Sequence, residues 1–513
     1  MSTLRFCKAT LLVFVLSLLA SMPASAQQFN TLLFNGANGA NPIYSVLVQG
    51  PDGDLYGTGA FGGSQLCGIF GATTDCGSVY KITPAGKLTT LYNFCTLPGC
   101  SDGWTPYGGL TLATDGNFYG TTTYGGICGV PYDAPPCGTV FRITPTGQLT
   151  TLYSFCSLTN CADGAGPIGK LLQAPDGNFY GTTSAGGIQD DDFPNGGGTI
   201  FRMTPAGQLT TIFTFDAGSF TPYGGLVLGN DGNFYGTTTL GGDQGYACMY
   251  VPGCGTIYRL TPAGDFSVIY NFCATDCLDG ADPNGDLLLG ADGKFYGVAE
   301  IGGQGDQGTF FSITPDGQFT TLYKFCHQLN CTDGSNPSGT LIQGTDGNFY
   351  GGTSEGGNTA DCQMTGCGVV FKITPGGAET VLHTFADADG SDPSAGLTQA
   401  TTGDFFGTTF EGGVINQSCW SLGCGTIFKM SLGFGPFVSF VRNPAKVGQE
   451  FGILGQGLKG ATAVSLNGTA AKFKVKSNTV ITATVPAGAS TGYVTVTTTS
   501  GVLTSNVPFQ VLP

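Results

Sequence analysis

Short apolar runs separated by glycine-bearing turns recur along most of this chain, and no stretch after the first 26 residues carries a convincing helical spacing. The unit read from Gly109 shows the pattern. An apolar run, "LTLA", meets the turn Thr114-Asp115-Gly116-Asn117 and continues as "NFYGTTT"; "GTVFRIT" then runs into Pro145-Thr146-Gly147 and out through "QLTTLYSF". Asp-Gly between two β-prone runs is a hairpin signal because glycine tolerates the positive φ of a tight turn, and Pro-x-Gly supplies a second turn. Each unit therefore predicts a meander of four short strands, A to D. Strand B lacks the polar alternation of a half-exposed strand. Both faces of each sheet are thus expected to be covered, with the adjacent Phe and Tyr pointing to opposite sides.

The second aromatic position marks the copies: Tyr56, Tyr119, Tyr180, Tyr235, Tyr296, Tyr350 and Phe406, spaced 54 to 63 residues apart. Seven such units predict an all-β protein with a seven-bladed β-propeller over residues 27–431. Its ends are complementary. "FNTLLF" at residues 29–34 reads as a strand D with nothing before it, and "GTIFKMSLGFG" supplies a strand C with no strand D after it. The N-terminal strand is expected to complete the last sheet and close the ring, removing two open edges. Beyond a linker at 432–435, "AVSLNG", "AKFKVKS", "TVITATVP" and "GYVTVTTTSG" alternate as strands and predict an immunoglobulin-like β-sandwich over 436–513.

The units "GNFYGTTTYGG" and "GTVFRITPTGQLTTLYSF" resemble the GloVer tandem-repeat family of exported bacterial proteins, over about residues 28–431. The resemblance implies no established activity. The stretch "ILGQGLKGATAVSLNGTAAKFKVKSNTVITATVPAGASTGYVTVTT" resembles an IPT/TIG domain, which implies a spacer or binding module.

Composition adds the compartment. Arg5 and Lys8, the apolar "LLVFVLSLLA" and Ala24-Ser25-Ala26 read as a signal peptide over 1–26, so a secreted or periplasmic protein is expected, with surface association open. Of 19 cysteines, Cys7 leaves with the signal and 18 fall into nine close pairs. One set is Cys95 with Cys100, Cys156 with Cys161, Cys273 with Cys277 and Cys326 with Cys331. The other is Cys67 with Cys76, Cys128 with Cys137, Cys248 with Cys254, Cys362 with Cys367 and Cys419 with Cys424. Repeats that lack one member of a pair lack both, which is what local disulfides predict; zinc would need companion histidines that the spacing does not supply. No run past the signal is long and apolar enough to predict a membrane span. Residues 27–431 carry 10 basic against 33 acidic side chains, a balance that repels nucleic acid, whereas the tail carries six basic residues and Glu450.

In a four-stranded blade the A–B and C–D turns share one face and the B–C and D–A loops the other. The first pair is uniform here, and the second holds every cysteine pair and nearly all length variation, so a binding face is expected there. Its D–A loops repeat an Asp-Gly before a proline, which singles out Asp102, Asp163, Asp279, Asp333 and Asp389; the first loop has Asn38 instead. Near the channel mouth these carboxylates would suit Ca²⁺, and otherwise each closes a turn on its own backbone. Trp104, Tyr107, Tyr223 and Trp420 are candidates for stacking on sugars. No catalytic residue is singled out: the two histidines, His327 and His383, stand beside no nucleophile, and the mature cysteines are paired. The reading is a non-catalytic exported binding or surface-interaction protein for an extracellular polysaccharide or protein partner, with no certain cofactor. The alternative is a polysaccharide-active hydrolase or lyase using the acidic loops.

Overall fold

The computed structural model describes residues 28–512 except 64–65, 70–71, 128–136, 190–194, 217–218, 244, 246–247, 250–251, 275, 360–361, 363–364, 416–418 and 420–421. The expected signal segment 1–26, Cys128 and Trp420 lie outside the described residues, as does the Cys67 side chain.

Each unit folds as the meander its turns dictate. In sheet 2 the strands are Leu110–Leu112, Phe118–Thr122, Thr139–Ile143 and Leu149–Ser154, all antiparallel to their neighbours. Gly116 takes φ +82° in the A–B turn, where its N–H donates to the Ala113 carbonyl at 3.0 Å. Gly147 closes the C–D turn on Thr144 at 2.9 Å. Among the described residues seven sheets of this order lie between residues 28 and 431, numbered along the chain from their strand A: sheet 1 at 48–93, sheet 2 at 110–154, sheet 3 at 172–214, sheet 4 at 227–271, sheet 5 at 288–324, sheet 6 at 335–384 and sheet 7 at 397–431. In the seventh, Leu397–Gln399, Phe405–Thr409 and Thr426–Ser431 are joined by the N-terminal strand Gln28–Leu33, which pairs antiparallel with Thr426–Ser431. Two additions were not foreseen from the pattern: a hairpin of Leu66–Ile69 with Ala72–Asp75 in the first B–C loop, and Ser219–Phe220 pairing with Leu240–Gly241.

The Phe-Tyr pair of strand B joins one sheet to the next. The Tyr ring packs against the Phe ring of the following repeat, from Tyr56 on Phe118 to Tyr350 on Phe405, with centroids 4.0–4.5 Å apart at all six such junctions. The hydroxyl of each of these tyrosines donates to the aspartate of its own A–B turn at 2.7–3.0 Å. A phenol can enter an apolar interface this way because its one polar atom reaches the rim. Phe406 of sheet 7 has no hydroxyl, and there Asp404 pairs with Lys429 at 2.9 Å. Sheets 7 and 1 share a core of Leu55, Tyr80, Ile82, Phe406 and Ile427.

Strand A is innermost, and glycine lets these strands crowd at the axis. A Cβ on Gly285 would stand 2.3 Å from the Gly339 carbonyl oxygen, and one on Gly339, at φ +74°, would stand 2.1 Å from that of Ser394. What remains on the axis is a cavity of about 30 Å³ lined in part by Tyr44, Lys170, Tyr223, Asn284 and Asp286. That is room for water only.

In the tail, two four-stranded sheets enclose a core that includes Phe451, Ile453, Leu466, Ile481, Val494, Val496 and Phe509. This unit rests on the A–B turn side of the repeats. Gln456 Nε2 reaches Thr401 Oγ1 at 3.2 Å, Gln449 Nε2 the Pro175 carbonyl at 3.2 Å, and Thr479 Oγ1 the Pro51 carbonyl.

The ring junctions are separable by mutation. Tyr235→Phe is expected to cost about 1 kcal/mol, the worth of one hydrogen bond, and Tyr235→Ala about 3–5 kcal/mol, because it also empties the contact with Phe295. Urea unfolding followed by circular dichroism measures both, and equal losses would show that the stack contributes nothing.

Candidate functional site

Disulfides join Cys95–Cys100, Cys156–Cys161, Cys248–Cys254, Cys273–Cys277, Cys326–Cys331, Cys362–Cys367 and Cys419–Cys424. Cys76 and Cys137 are bonded as well. All lie in B–C or D–A loops, on the side away from the sandwich. These seven bridges fit an extracellular or periplasmic protein. Among the described residues no helix is long and apolar enough to cross a membrane.

The five loop aspartates sit at the outer rim of this face. Asp102, fully buried, accepts from Tyr92 Oη at 2.8 Å, Thr96 N at 2.9 Å, Thr96 Oγ1 at 3.0 Å and Leu97 N at 3.3 Å. Asp163 repeats the arrangement with Tyr153, Ser157 and Leu158, and Asp333 with Tyr323, His327 and Gln328. Asp279 accepts from Tyr270 Oη at 2.6 Å and Ala274 N at 3.2 Å. Asp389 takes His383 Nε2 at 3.0 Å and Ala386 N at 2.8 Å. Asn38 instead exchanges hydrogen bonds with Asn35. Each carboxylate is thus tied to the outermost strand of its own repeat and to the backbone of its own loop, and the structure does not bring the five together. Among the described residues, the one trio of metal-type ligand atoms in close approach is Cys248, Cys254 and Cys273, which belong to two adjacent disulfides.

The aromatic candidates divide. Trp104 stacks on Tyr124 at 4.4 Å, so one ring face is taken. Tyr107 meets Tyr44 edge-on at 6.4 Å beside the axis, and Tyr223, 37% exposed, lines the axial cavity. Burial and then the charges of Glu300 and Asp392 push the Tyr44 hydroxyl far above the usual tyrosine range. Tyr44 therefore links the aromatic sector to an acidic one.

That acidic sector comes from sheets 5 to 7. Asp282 and Asp392 stand immediately before the prolines that lead into strand A of sheets 5 and 7, and Glu300, Glu355 and Glu411 stand where strand B ends in sheets 5, 6 and 7. Asp282 and Glu300 are held together by the Glu300 N–H donating to the Asp282 carbonyl at 3.0 Å. Burial pushes Asp282 up to about 6. Burial, then the charges of Asp282, Asp392 and Glu355, push Glu300 up to about 7. Burial and Glu411 push Asp392 up to about 7 against the opposing effect of Ser394. Asn284 Nδ2 donates to Glu300 Oε2. Among the described residues no Lys or Arg forms an ion pair with any of these five carboxylates. Between sheets 6 and 7 the sector opens into a groove of about 600 Å³ lined in part by Glu355, Asp387, Ser391, Asp392 and Glu411. Chemically, the arrangement offers carboxylates held near neutrality beside exposed tyrosine.

The sequence reading passed over this sector. Its signal is a departure from the repeat: only four glutamates occur in residues 27–431, and Glu300, Glu355 and Glu411 all fall within two residues of the Gly-Gly that follows strand B. The pre-proline position holds Asn41, Thr105, Gly166, Thr221 and Asn336 elsewhere.

The raised carboxylates set a pH dependence. Asp282, Glu300 and Asp392, facing Glu355, Glu411, Asp387, Tyr44 and Tyr223, hold protons in the fold that the unfolded chain releases near pH 4. Their contribution therefore falls as pH rises from about 4 to 7, and the penalty is complete above that. In chelator-containing buffer Asp392→Asn is expected to stabilise by about 2 kcal/mol at pH 8 and far less at pH 5. Paired urea titrations at the two pH values measure this, and a pH-independent effect would remove Asp392 from the coupled group.

Comparison with known proteins gives partial likenesses to solved structures and a family. A putative gluconolactonase matches at 14% identity with a TM-score of 0.33, over 58% of this chain and 82% of that one. A luciferin-regenerating enzyme matches at 13% and 0.36, over 79% and 98%. The PQQ-bound aldose sugar dehydrogenase of Streptomyces coelicolor matches at 17% and 0.39, over 64% and 93%. No curated protein matches. The IPT/TIG domain model matches residues 437–511. The model of the Gloeobacter/Verrucomicrobia repeat matches residues 18–189, 69–277 and 250–443, the stretch in which the Phe-Tyr junctions recur, and the chain belongs to that repeat family.

Proposed function

We propose that the chain is an exported, non-catalytic carbohydrate-binding protein: a seven-bladed β-propeller clasped by its N-terminal strand, with the ligand on the disulfide-bearing face and the IPT/TIG domain as a docked spacer. One observation carries the reading. The sandwich covers the A–B turn side through Gln449, Gln456 and Thr479, while the opposite face keeps an open groove lined by Glu355, Asp387, Asp392 and Glu411 of sheets 6 and 7, with the exposed Tyr223 lining the axial cavity. Aromatic faces take the apolar side of a sugar ring and carboxylates accept its hydroxyls, a pairing suited to polysaccharide. A second reading, a polysaccharide hydrolase or lyase, is favoured by Asp392 and Glu300 at about 7, where a carboxyl group can serve as a general acid.

Retention of the mature protein on a panel of insoluble polysaccharides, with an assay for released sugar ends, tests both readings. Binding without release is expected, weakened about three- to tenfold by Tyr223→Ala. Release of sugar ends would put the enzyme reading first, and no retention on any polysaccharide would turn the search to protein partners. Reduction by dithiothreitol is expected to weaken retention while most far-ultraviolet β signal persists, because the bridges hold loops and the stacked aromatic rings hold the sheets. Retention indifferent to reduction would move the ligand off this face.

A further inference from the structure

The pocket where the sandwich meets the repeats belongs to the domain contact, the five rim aspartates are engaged by their own loops, and among the described residues no three carboxylates bring their oxygens within ligand range of one another. What converges is sulfur. The Sγ atoms of Cys248, Cys254 and Cys273 lie within 4.8 Å of one another, and Cys273 is bonded to Cys277. We propose that these four cysteines, once a dithiol has opened their two disulfides, bind one thiophilic divalent metal ion of the zinc class. The site is independent of any carbohydrate ligand.

The fold explains why the sulfurs meet. Strand D of sheet 4, Phe266–Asn271, pairs with its strand C, Thr256–Leu260, so that Asn271 faces Thr256. The Phe272 N–H carries the pairing one step further onto the Gly255 carbonyl at 3.1 Å. Cys254 and Cys273 are the next residue on each side. Cys248 is tied to Cys254 across the B–C loop and Cys277 to Cys273 across the D–A loop, which brings one bridge against the other. Gly245 fills the remaining gap. Its N–H points at Cys248 Sγ at 3.3 Å, and a Cβ there would stand 2.8 Å from Cys273 Sγ. Sheets 3, 5, 6 and 7 lack the cysteine pair of one loop or of both.

All four cysteines are buried, at 1–7% exposure, in one cluster with Phe272, Ala281 and Ala299. Thiolates alone select a soft or borderline cation, and four cysteines are a donor set of structural zinc, with no companion histidine needed. Sulfurs about 2.3 Å from a tetrahedral ion stand about 3.8 Å apart. The trio already approaches that spacing in the oxidised chain. The Gly245 N–H, aimed at sulfur, supports the charge of a thiolate at Cys248.

Opening and loading are separate steps. Each disulfide takes two electrons and two protons from the dithiol, which leaves as its own disulfide, and becomes two thiols. Zn²⁺ then forms four Zn–S bonds as the four thiol protons pass to solvent. Because the ion binds thiolates and not disulfides, it favours the reduced state by mass action.

Alkylation of the wild-type chain, reduced by a phosphine that carries no thiol to compete for the metal and mapped by peptide mass spectrometry, tests the site. At saturating Zn²⁺, Cys248, Cys254, Cys273 and Cys277 are expected to react about tenfold or more slowly than without metal. Cys419 and Cys424, whose repeat has no second pair, should react at the same rate with and without it. Co²⁺ in place of Zn²⁺ should give the sulfur-to-metal charge-transfer absorption of a tetrahedral thiolate centre, reduced by one equivalent in Cys254→Ser/Cys273→Ser and retained in Cys419→Ser/Cys424→Ser. Far-ultraviolet circular dichroism of the reduced chain should show that its β structure persists. Alkylation indifferent to Zn²⁺ at all four cysteines would overturn the proposal. So would protection of one pair alone, because no single ion would then join the two loops, and so would loss of the β signal in the reduced chain with Zn²⁺ present.

Discussion

The contact on which the rest depends is a tyrosine ring of one repeat against a phenylalanine ring of the next. Neighbouring residues on a strand point to opposite faces, so Phe118-Tyr119 places one ring against sheet 1 and the other against sheet 3. A single dipeptide therefore fixes two interfaces, and repeating it makes each sheet both host and guest. The accompanying Asp-Gly turn is part of the same device, since Asp115 receives the Tyr119 hydroxyl and so lets a polar atom leave an apolar junction satisfied. The glycine following the tyrosine belongs to it as well: a Cβ on Gly120 would meet the Phe141 ring at 2.6 Å. The close spacing of the sheets sets these residues, with no chemistry required of them.

That division explains what could be read in advance. Strand order, the turns and the incomplete sheet at each end follow from local rules of period and turn chemistry, which are printed in the sequence wherever "DGN" and "TPxG" occur. Pairing of Gln28–Leu33 with Thr426–Ser431 was legible because a strand D without partners and a sheet without a strand D stand at opposite ends. The site was not legible in the same way. Asp102 and its equivalents attract attention because they recur, and recurrence in a repeat protein marks scaffold: all five are engaged by their own loops. Asp282, Glu300 and Asp392 do not recur from repeat to repeat, and their electrostatic coupling depends on which sheets come near one another, which no local rule supplies. The hairpin at Leu66–Asp75 escaped for a related reason, since its glycine-rich loop carries no alternation to announce strands.

The two turn-bearing ends of the repeat sheets carry different constraints. Six of the A–B turns accept a tyrosine hydroxyl, and some meet a second domain; Pro51, Pro175 and Thr401 touch the sandwich there. Their uniformity follows from that double duty. The opposite loops need only close, and short disulfides packed onto the cores beneath them, together with aspartates bonded to their own loops, close them. Once closure is local, the residues between the anchors are free to differ from repeat to repeat.

Sheets 5 to 7 use that freedom to gather acids, and the physical consequence runs against stability. Each carboxylate raised toward neutrality by burial and by its neighbours makes the folded state less favourable at neutral pH than an amide at the same position would. A scaffold held by six aromatic junctions between four-stranded sheets can carry such a cost in one sector, because the junctions lie on strand B and the acidic groups where strand B ends and in the loops before strand A. Separation of packing from charge therefore lets some repeats depart from the pattern of the others, and the departure, rather than the repeat, is where binding chemistry is to be sought.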